Sequence, residues 1–260
     1  MNVQLRFVSA LLIFCVVQSD AFAQSWTQLA KPGIWRNTVD VVVVGNYMYS
    51  IELNGTLWRT DANGAYERLA GAGTFNNVSQ LVALDGYLFA VENGGSFYRI
   101  NTRSLRWENL GNDWGNTRVM VALNGYLYSI ENDGTLYETD KDGHWKQMGE
   151  AGSFRATTLL EAMDNSLWAV AGGTLYRTKP GTLQWVQVGN KGDWANTVSW
   201  TSDRGYLWSM EANGTLFRTD SRGEFKQIGP TGSYSNTRHL FSLNNKFYAI
   251  SNGTLYRSNQ

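Results

Sequence analysis

The sequence has 260 residues, with 22 Lys and Arg against 22 Asp and Glu, so its formal net charge is zero. This balance argues against binding to nucleic-acid phosphates, which needs a basic surface. Two His and one Cys are too few for a structural zinc site, and no cofactor motif is present. The 27 Gly, 3 Pro, 11 Trp, 13 Tyr and 11 Phe favour short strands joined by tight turns over helices.

Residues 1–23 have the pattern of a secretory signal peptide. Arg6 precedes an apolar run over residues 7–17, which is too short to cross a bilayer, and a small-x-small cleavage pattern ends at Ala23. We expect cleavage after Ala23, which would remove Cys15, the one cysteine. No other segment is apolar enough for a membrane span. The sequence therefore predicts a secreted or periplasmic protein.

The first predicted strand, residues 26–29, begins a repeat that runs through the chain. A Gly-Thr-Leu-aromatic-Arg signature, with minor variants, starts at steps of 40, 39, 39, 41 and 39 residues, which define units 1 to 6: Gly55, Gly95, Gly134, Gly173, Gly214 and Gly253. An aromatic-x-Asn-Thr signature has its ring at Trp35, Phe75, Trp114, Phe154, Trp194 and Tyr234. An aromatic-x-x-aliphatic signature starts at Trp26, Tyr66, Trp107, Trp145, Trp185 and Phe225.

Each unit contains four predicted strands, a to d, which in unit 3 cover residues 118–123, 126–131, 135–139 and 145–148. Asn124 and Gly125 mark the a–b hairpin turn, because Asn and Gly accept the positive φ that such turns need. Strand b alternates aromatic and smaller residues, which is the period of a strand. One position of strand b is always small, which predicts close packing between units: Ser50, Ala90, Ser129, Ala169, Ser209 and Ala249.

Six four-stranded units of about 40 residues predict an all-β fold, a six-bladed β-propeller that forms one domain over residues 24–260. The last unit ends in strand c at residues 253–260, whereas residues 26–29 match strand d. We therefore expect the N-terminal strand to complete the last blade and to close the ring. Closure would protect sheet edges that otherwise promote aggregation.

Candidate catalytic residues do not form a recognisable set. His144 and His239 lie in different units at different repeat positions, so a Ser-His-Asp arrangement has no support, and we interpret both as surface or channel residues. Asp40 and Glu161 lie in innermost strands and are expected to line the central channel, where a single carboxylate is more often solvated than catalytic. The sequence therefore predicts a protein that is not an enzyme and needs no cofactor or metal.

The most suggestive residues lie in the loops. In an up-and-down blade the d–a and b–c connections emerge on the same face, so a ring, an Asn and a Glu converge there in several units. A ring can stack on a sugar while amide and carboxylate groups bind its hydroxyls. The predicted ligand-binding residues are Trp35, Asn37 and Glu52; Phe75, Asn77 and Glu92; Trp114, Asn116 and Glu131; Trp194, Asn196 and Glu211; and Tyr234 and Asn236. A purely structural role, with Asn and Thr satisfying backbone groups and the ring filling space between blades, is the alternative.

The copies are unequal. From the Asn position to the Gly of the b–c turn, units 1, 2, 3 and 5 span 18 residues, whereas units 4 and 6 span 17 and replace Glu by Ala171 and Ser251. Unit 4 also replaces Asn by Ala156, which predicts graded sites with unit 4 the least competent. Unit 3 differs in another way: 6 residues separate Leu110 from Asn116, where the other units have 8.

The order Val-Gly-x-x-Gly-x-Trp, Gly-Tyr-Leu-Trp and Thr-Leu-Phe-Arg, found over residues 188–218, resembles the tachylectin-2 type of propeller lectin. The resemblance recurs once per unit, and tectonin-type repeats are a looser match. It implies binding of N-acetylated sugars between neighbouring blades. The departures are six short repeats in place of five longer ones and the absence of a Pro-Pro segment after strand c.

Two functional hypotheses follow. The first is a secreted, multivalent carbohydrate-binding protein with about four comparable sites for glycans or glycoconjugates, whose weak sites would gain avidity together. The alternative is a protein-interaction scaffold in which one face of the propeller binds a periplasmic or cell-surface partner. The scaffold hypothesis predicts one large patch, contributed by a divergent blade. An enzyme ranks third.

Overall fold

A computed structural model describes residues 25–75, 77–179 and 182–259. The described chain forms six four-stranded antiparallel sheets arranged as a β-propeller, as the repeat predicts. The predicted signal peptide and its cleavage site lie outside the described residues. Within the described ranges, no helix is long and apolar enough to span a bilayer.

The two inner strands of each blade are the most regular. Strand a, which is innermost, is formed by β2 (Thr38–Val44), β6 (Val78–Leu84), β10 (Thr117–Leu123), β14 (Thr157–Met163), β18 (Thr197–Asp203) and β22 (Thr237–Leu243). Strand b is formed by β3 (Tyr47–Glu52), β7 (Tyr87–Glu92), β11 (Tyr126–Glu131), β15 (Ser166–Ala171), β19 (Tyr206–Glu211) and β23 (Lys246–Ser251). In unit 3, the predicted bounds of strand b are confirmed and strand a begins one residue earlier than predicted.

The two outer strands are shorter and more variable. Strand c is formed by β4 (Leu57–Asp61), β8 (Phe97–Asn101), β12 (Leu136–Thr139), β16 (Thr174–Thr178), β20 (Leu216–Thr219) and β24 (Thr254–Ser258). Strand d is formed by β1 (Trp26–Gln28), β5 (Tyr66–Ala70), β9 (Trp107–Gly111), β13 (Trp145–Gln147), β17 (Trp185–Gln187) and β21 (Phe225–Ile228). The blades are numbered as the units are, and β1 supplies strand d of blade 6.

The N-terminal strand closes the ring, as predicted from the phase of the chain ends. Strand β1 lies at the outer edge of blade 6 and pairs antiparallel with β24, with Trp26 opposite Ser258 and Gln28 opposite Tyr256. Blade 6 therefore contains the first and the last strands of the described chain. The first strand holds the two ends of the ring together by a backbone ladder.

Blades pack against each other through the faces of their sheets. One apolar cluster joins Tyr49 and Leu57 of blade 1 to Phe75 and Leu88 of blade 2. Five further clusters join the other pairs of neighbouring blades. The small position of strand b is at most 4% exposed in all six blades, from Ser50 at 0% to Ala249 at 4%. A larger side chain would have no space there, which agrees with the predicted close packing.

Candidate functional site

Hydrogen bonds tie each d–a loop to the preceding blade. The backbone N–H of the loop aromatic donates to the carbonyl of the b–c turn glycine one blade earlier, over 2.9–3.3 Å: Trp35 to Gly253, Phe75 to Gly55, Trp114 to Gly95, Phe154 to Gly134, Trp194 to Gly173 and Tyr234 to Gly214. The d–a loops and b–c turns therefore lie together on one face, as predicted. We call this surface the loop face.

The b–c turn glycine leaves room for the next d–a loop. Gly214 has a φ of 80°, and a Cβ built on it would lie 2.3 Å from the backbone nitrogen of Ser235. At Gly134 a Cβ would lie 2.3 Å from the nitrogen of Arg155. The recurring glycine signature is therefore explained by contact between blades as well as by turn geometry.

The Asn position has a backbone role. Its carbonyl accepts a hydrogen bond from a b–c turn N–H in all six blades, for example Leu53 to Asn37 at 2.8 Å and Asn132 to Asn116 at 2.8 Å. Ala156 makes the same bond, from the N–H of Gly172, at 3.0 Å. This role explains why alanine is tolerated there. The five Asn residues predicted to bind a ligand through their side-chain amides are all exposed: Asn37, Asn77, Asn116, Asn196 and Asn236.

The Glu position is bonded to the Thr of the same signature. The hydroxyl of Thr38 donates to Glu52 at 2.7 Å, and Thr117–Glu131 and Thr197–Glu211 repeat the bond at 2.9 and 2.7 Å. Burial raises the pKa of all four carboxyls, those of Glu52, Glu92, Glu131 and Glu211. Where Glu and Thr are both present, the Glu thus helps to hold the b–c turn on the first residue of strand a.

The loop rings make the same kind of contact in five blades. There the ring meets the aromatic ring of strand d in its own blade, edge-on or tilted: Trp35–Tyr66 at 5.6 Å, Phe75–Trp107 at 6.1 Å, Phe154–Trp185 at 5.6 Å, Trp194–Phe225 at 5.3 Å and Tyr234–Trp26 at 5.9 Å between centroids. The loop rings of blades 1, 2, 3 and 5 are all at most 6% exposed, so blade 3 differs in which ring its loop ring contacts.

Blade 3 is arranged differently. Its loop ring, Trp114, stacks on Phe97 of blade 2, with centroids 4.6 Å apart and planes 26° apart. The d–a loop of unit 3 is two residues shorter than the others. We attribute the different ring contact to this shortening, because a shorter loop holds Trp114 against the preceding blade.

The different position of Trp114 is accompanied by a pocket of about 490 Å³ on the loop face of blade 3. Three predicted residues share this pocket, Trp114, Asn116 and Glu131. The other residues that line it are Asp113, Ser129, Asn132, Asp133, Tyr137 and Trp145. Sequence reasoning did not select these, although the short loop of unit 3 was the signal that marks this blade.

The central channel holds the two predicted carboxylates. Asp40 and Glu161 line a cavity of about 390 Å³ formed by the innermost strands. Asp40 accepts hydrogen bonds from the N–H groups of Val41 and Leu81, both at 2.8 Å, and Glu161 accepts one from Ala162 at 3.0 Å. Burial raises the pKa of Asp40 to about 6 and that of Glu161 to about 7.

His144 has the exposed position expected of a surface residue, whereas His239 is partly buried against the neighbouring blade 1. His144 is 84% exposed and its Nδ1 lies 3.0 Å from Asp140. His239 lies on innermost strand β22, where its Nε2 is 3.3 Å from the carbonyl of Thr38 and burial lowers its pKa. Among the described residues, no group of three or more His, Cys, Asp or Glu side chains is placed to hold a metal ion.

Comparisons with known proteins show the class of fold. The structure is similar to streptogramin B lyase, with a TM-score of 0.66 and 14% identity over 93% of this chain and 99% of that chain. It is similar to YCF48 from Cyanidioschyzon merolae, with a TM-score of 0.59 and 13% identity over 90% and 98%. It also resembles PorZ, a surface component of the type-IX secretion system of Porphyromonas gingivalis, at 0.55 and 11% over 88% and 37%.

The structural similarity establishes the six-bladed propeller fold. Sequence identities of 11–14% are too low to assign a function. No protein-family model matches the chain, and no curated protein matches it in sequence. The similar structures named above include a lyase and a component of a secretion system, so the expected likeness to tachylectin-2 holds only at the level of a propeller. Since one of them is a lyase, the fold by itself leaves enzymatic activity open.

Proposed function

We propose that this protein is a non-enzymatic interaction scaffold whose loop face binds a segment of a protein partner at the blade 3 pocket. The observation that carries the proposal is the position of the pocket in the blade whose d–a loop diverges. A scaffold is expected to use one patch from a divergent blade, whereas a multivalent lectin would have repeated open sites.

The pocket has the features of a recognition site rather than of a packing defect. Trp145 is 54% exposed and lies beside Tyr137, with their centroids 5.2 Å apart and their planes perpendicular. Exposed aromatic side chains next to polar groups are typical of the centres of protein interfaces. A similar propeller, YCF48, has been solved bound to a D1 peptide. That example supports peptide binding by this kind of fold.

The test is to close the pocket by lengthening the loop. Unit 3 reads Gly-Asn-Asp-Trp over residues 111–114, and unit 5 reads Gly-Asn-Lys-Gly-Asp-Trp over residues 189–194. Inserting Lys-Gly after Asn112 gives unit 3 the loop of unit 5. We expect Trp114 to move onto Trp145, as Trp194 lies on Phe225, with little change in thermal stability.

A partner purified from the native source with the unaltered protein would then be titrated calorimetrically against both forms. We expect the lengthened form to lose at least about tenfold in affinity, since hot-spot contacts of this kind carry most of an interface's binding energy. Equal affinities for the two forms would refute the proposal. The matched control deletes Lys191 and Gly192, which shortens the loop of unit 5 and leaves blade 3 intact.

Carbohydrate binding is the second candidate function. The rings of Tyr137 and Trp145, the amide of Asn116 and the carboxylate of Glu131 line one pocket, and this combination suits a sugar. A glycan array that includes N-acetylated sugars tests it. Binding that disappears in the lengthened form would support a single sugar site in blade 3, and no binding to any glycan would exclude this candidate.

We further propose that the protein is exported, secreted or periplasmic, and cleaved after Ala23. The support is the apolar run and the small-x-small pattern of residues 1–23. Mass spectrometry of the protein from its native source should then find Gln24 at the N-terminus. A mature chain that retains Met1 or Arg6 would contradict export by this signal.

A further inference from the structure

The blade 3 pocket combines carboxylates with aromatic rings. Asp113, Glu131 and Asp133 line it together with the rings of Trp114 and Trp145. Among the described residues that line it, none is basic. Negative charge beside the faces of aromatic rings is the environment that stabilises an organic cation. The chemistry of the walls therefore favours a basic group of the ligand over an acidic one.

Two arginines lie near the rim of the pocket, and their side chains are hydrogen-bonded to backbone carbonyls. Arg118 donates to the carbonyls of Arg155 and Phe154, at 3.1 and 3.0 Å, and Arg155 donates to the carbonyl of Asp133 at 3.4 Å. The backbone N–H of Thr135, which donates to Asp133 at 2.8 Å, is the main cause that lowers the pKa of this carboxyl, and both cations add to the effect. The charge of Asp133 is therefore partly compensated within the protein, whereas the described hydrogen bond of the Glu131 carboxylate comes from the neutral hydroxyl of Thr117.

We propose that the blade 3 pocket binds an arginine side chain of the partner segment, an inference that rests on the proposed scaffold function. A guanidinium group is planar and can stack on the exposed ring of Trp145. Its five N–H donors can bond more than one carboxylate at once, which one ammonium point charge would serve less well. Arginine is also among the residues that most often carry the binding energy of an interface.

The test uses three probes on the full chain: acetyl-Gly-Gly-Arg-Gly-Gly-amide and the same peptide with citrulline or lysine in place of arginine. Citrulline keeps the planar shape and removes the charge. We expect the arginine peptide to shift the indole N–H signals of Trp114 and Trp145 in NMR titrations. The citrulline peptide should bind about tenfold more weakly and the lysine peptide several-fold more weakly.

Matched variants locate the effect. Glu131→Gln and Trp145→Ala should each weaken binding of the arginine peptide by about tenfold. Glu211→Gln and Trp107→Ala change the same repeat positions in blades 5 and 2, and both should bind within about twofold of the unaltered protein. Trp107 and Trp145 are both about half exposed and each contacts the strand c ring of its own blade, while Trp107 also contacts Phe75.

The inference fails if citrulline or lysine binds as well as arginine, if no probe binds, or if Glu131→Gln has no effect. Its failure can be separated from failure of the scaffold proposal. One outcome would support the scaffold proposal and contradict the arginine proposal: a natural partner that no longer binds the form with the lengthened loop but binds Glu131→Gln with unchanged affinity. A partner that binds the form with the lengthened loop with unchanged affinity would contradict both proposals.

Discussion

At the scale of single residues, the recurring signature positions have physical roles that differ from their sequence-based interpretation. The loop aromatic anchors a backbone hydrogen bond between blades, the Asn position supplies a carbonyl, and in three blades Thr binds the Glu carboxylate. These contacts account for the repetition of the motif. The proposed ligand site lies in the one blade in which the ring contact differs.

A pair of glycines tests the contact between blades. Gly214 and Gly125 have nearly equal φ angles of 80° and 81°, but a Cβ would clash with Ser235 only at Gly214, since nothing lies within 4 Å of it at Gly125. We expect Gly125→Ala to cost about 1–2 kcal/mol for the left-handed backbone. Gly214→Ala should lower the free energy of unfolding by about 1–3 kcal/mol more than Gly125→Ala does, because of overpacking. Urea denaturation measures both losses. Equal losses would show that the d–a loop yields without cost.

The channel carboxylate Glu161 gives stability a pH dependence. Its pKa in the folded protein, about 7, lies above the ordinary value of 4.5, so the folded state binds the proton more tightly. The contribution of protonated Glu161 to the free energy of unfolding is complete below about pH 4.5 and is lost as the pH rises through 7. Glu161→Gln should be more stable than the unaltered protein at pH 8, by about 1–2 kcal/mol after allowance for solvent in the channel.

The measurement for Glu161 is the free energy of unfolding at pH 4.5 and at pH 8 for both proteins. The difference between them should shrink toward zero at the lower pH, where both side chains are neutral. Parallel stability curves over this range would show that channel solvent already compensates the buried charge.

At the scale of elements, loop length and strand phase decide what each blade presents. Shortening one d–a loop by two residues is associated with Trp114 stacking on blade 2 and with a pocket in blade 3. Strand phase has a second consequence, because the chain ends within a blade. Strand β1 supplies the outer strand that β24 would otherwise lack.

Removal of β1 tests the closure. A chain that begins after Ala30 would leave the edge of β24 unpaired and would lose the contact between Trp26 and Tyr234. We expect a clearly lower melting temperature and concentration-dependent aggregation, because an open edge is a template for pairing with other chains. Light scattering during a thermal ramp measures both. The control begins at Ser25 and keeps the strand; matching behaviour of the two chains would show that β1 contributes little.

At the scale of the whole molecule, six similar blades produce one different site. Each inner strand contacts its neighbours around the channel, and β22 contacts β2 to complete the circle. The proposed site lies where the ring departs from this symmetry, at the d–a loop that is two residues shorter than the others.

The number of bound ligands tests this conclusion. We expect calorimetric titration with the natural partner to give a stoichiometry near one per chain, because the ring contact that the loop aromatic makes in five blades is changed in blade 3. About four sites per chain, with similar affinities in blades 1, 2, 3 and 5, would instead support the multivalent lectin hypothesis.

The sequence by itself determined the six blades, their four strands, the closure by residues 26–29 and the face on which the loops converge. It did so because period-2 strands, turn glycines and a 40-residue repeat are local signals that recur six times. Only the tertiary structure decided which ring each loop ring contacts. The partner of each ring, such as Tyr66 for Trp35 or Phe97 for Trp114, lies on another strand or another blade. A ring's environment depends on how distant segments pack, which no single motif records.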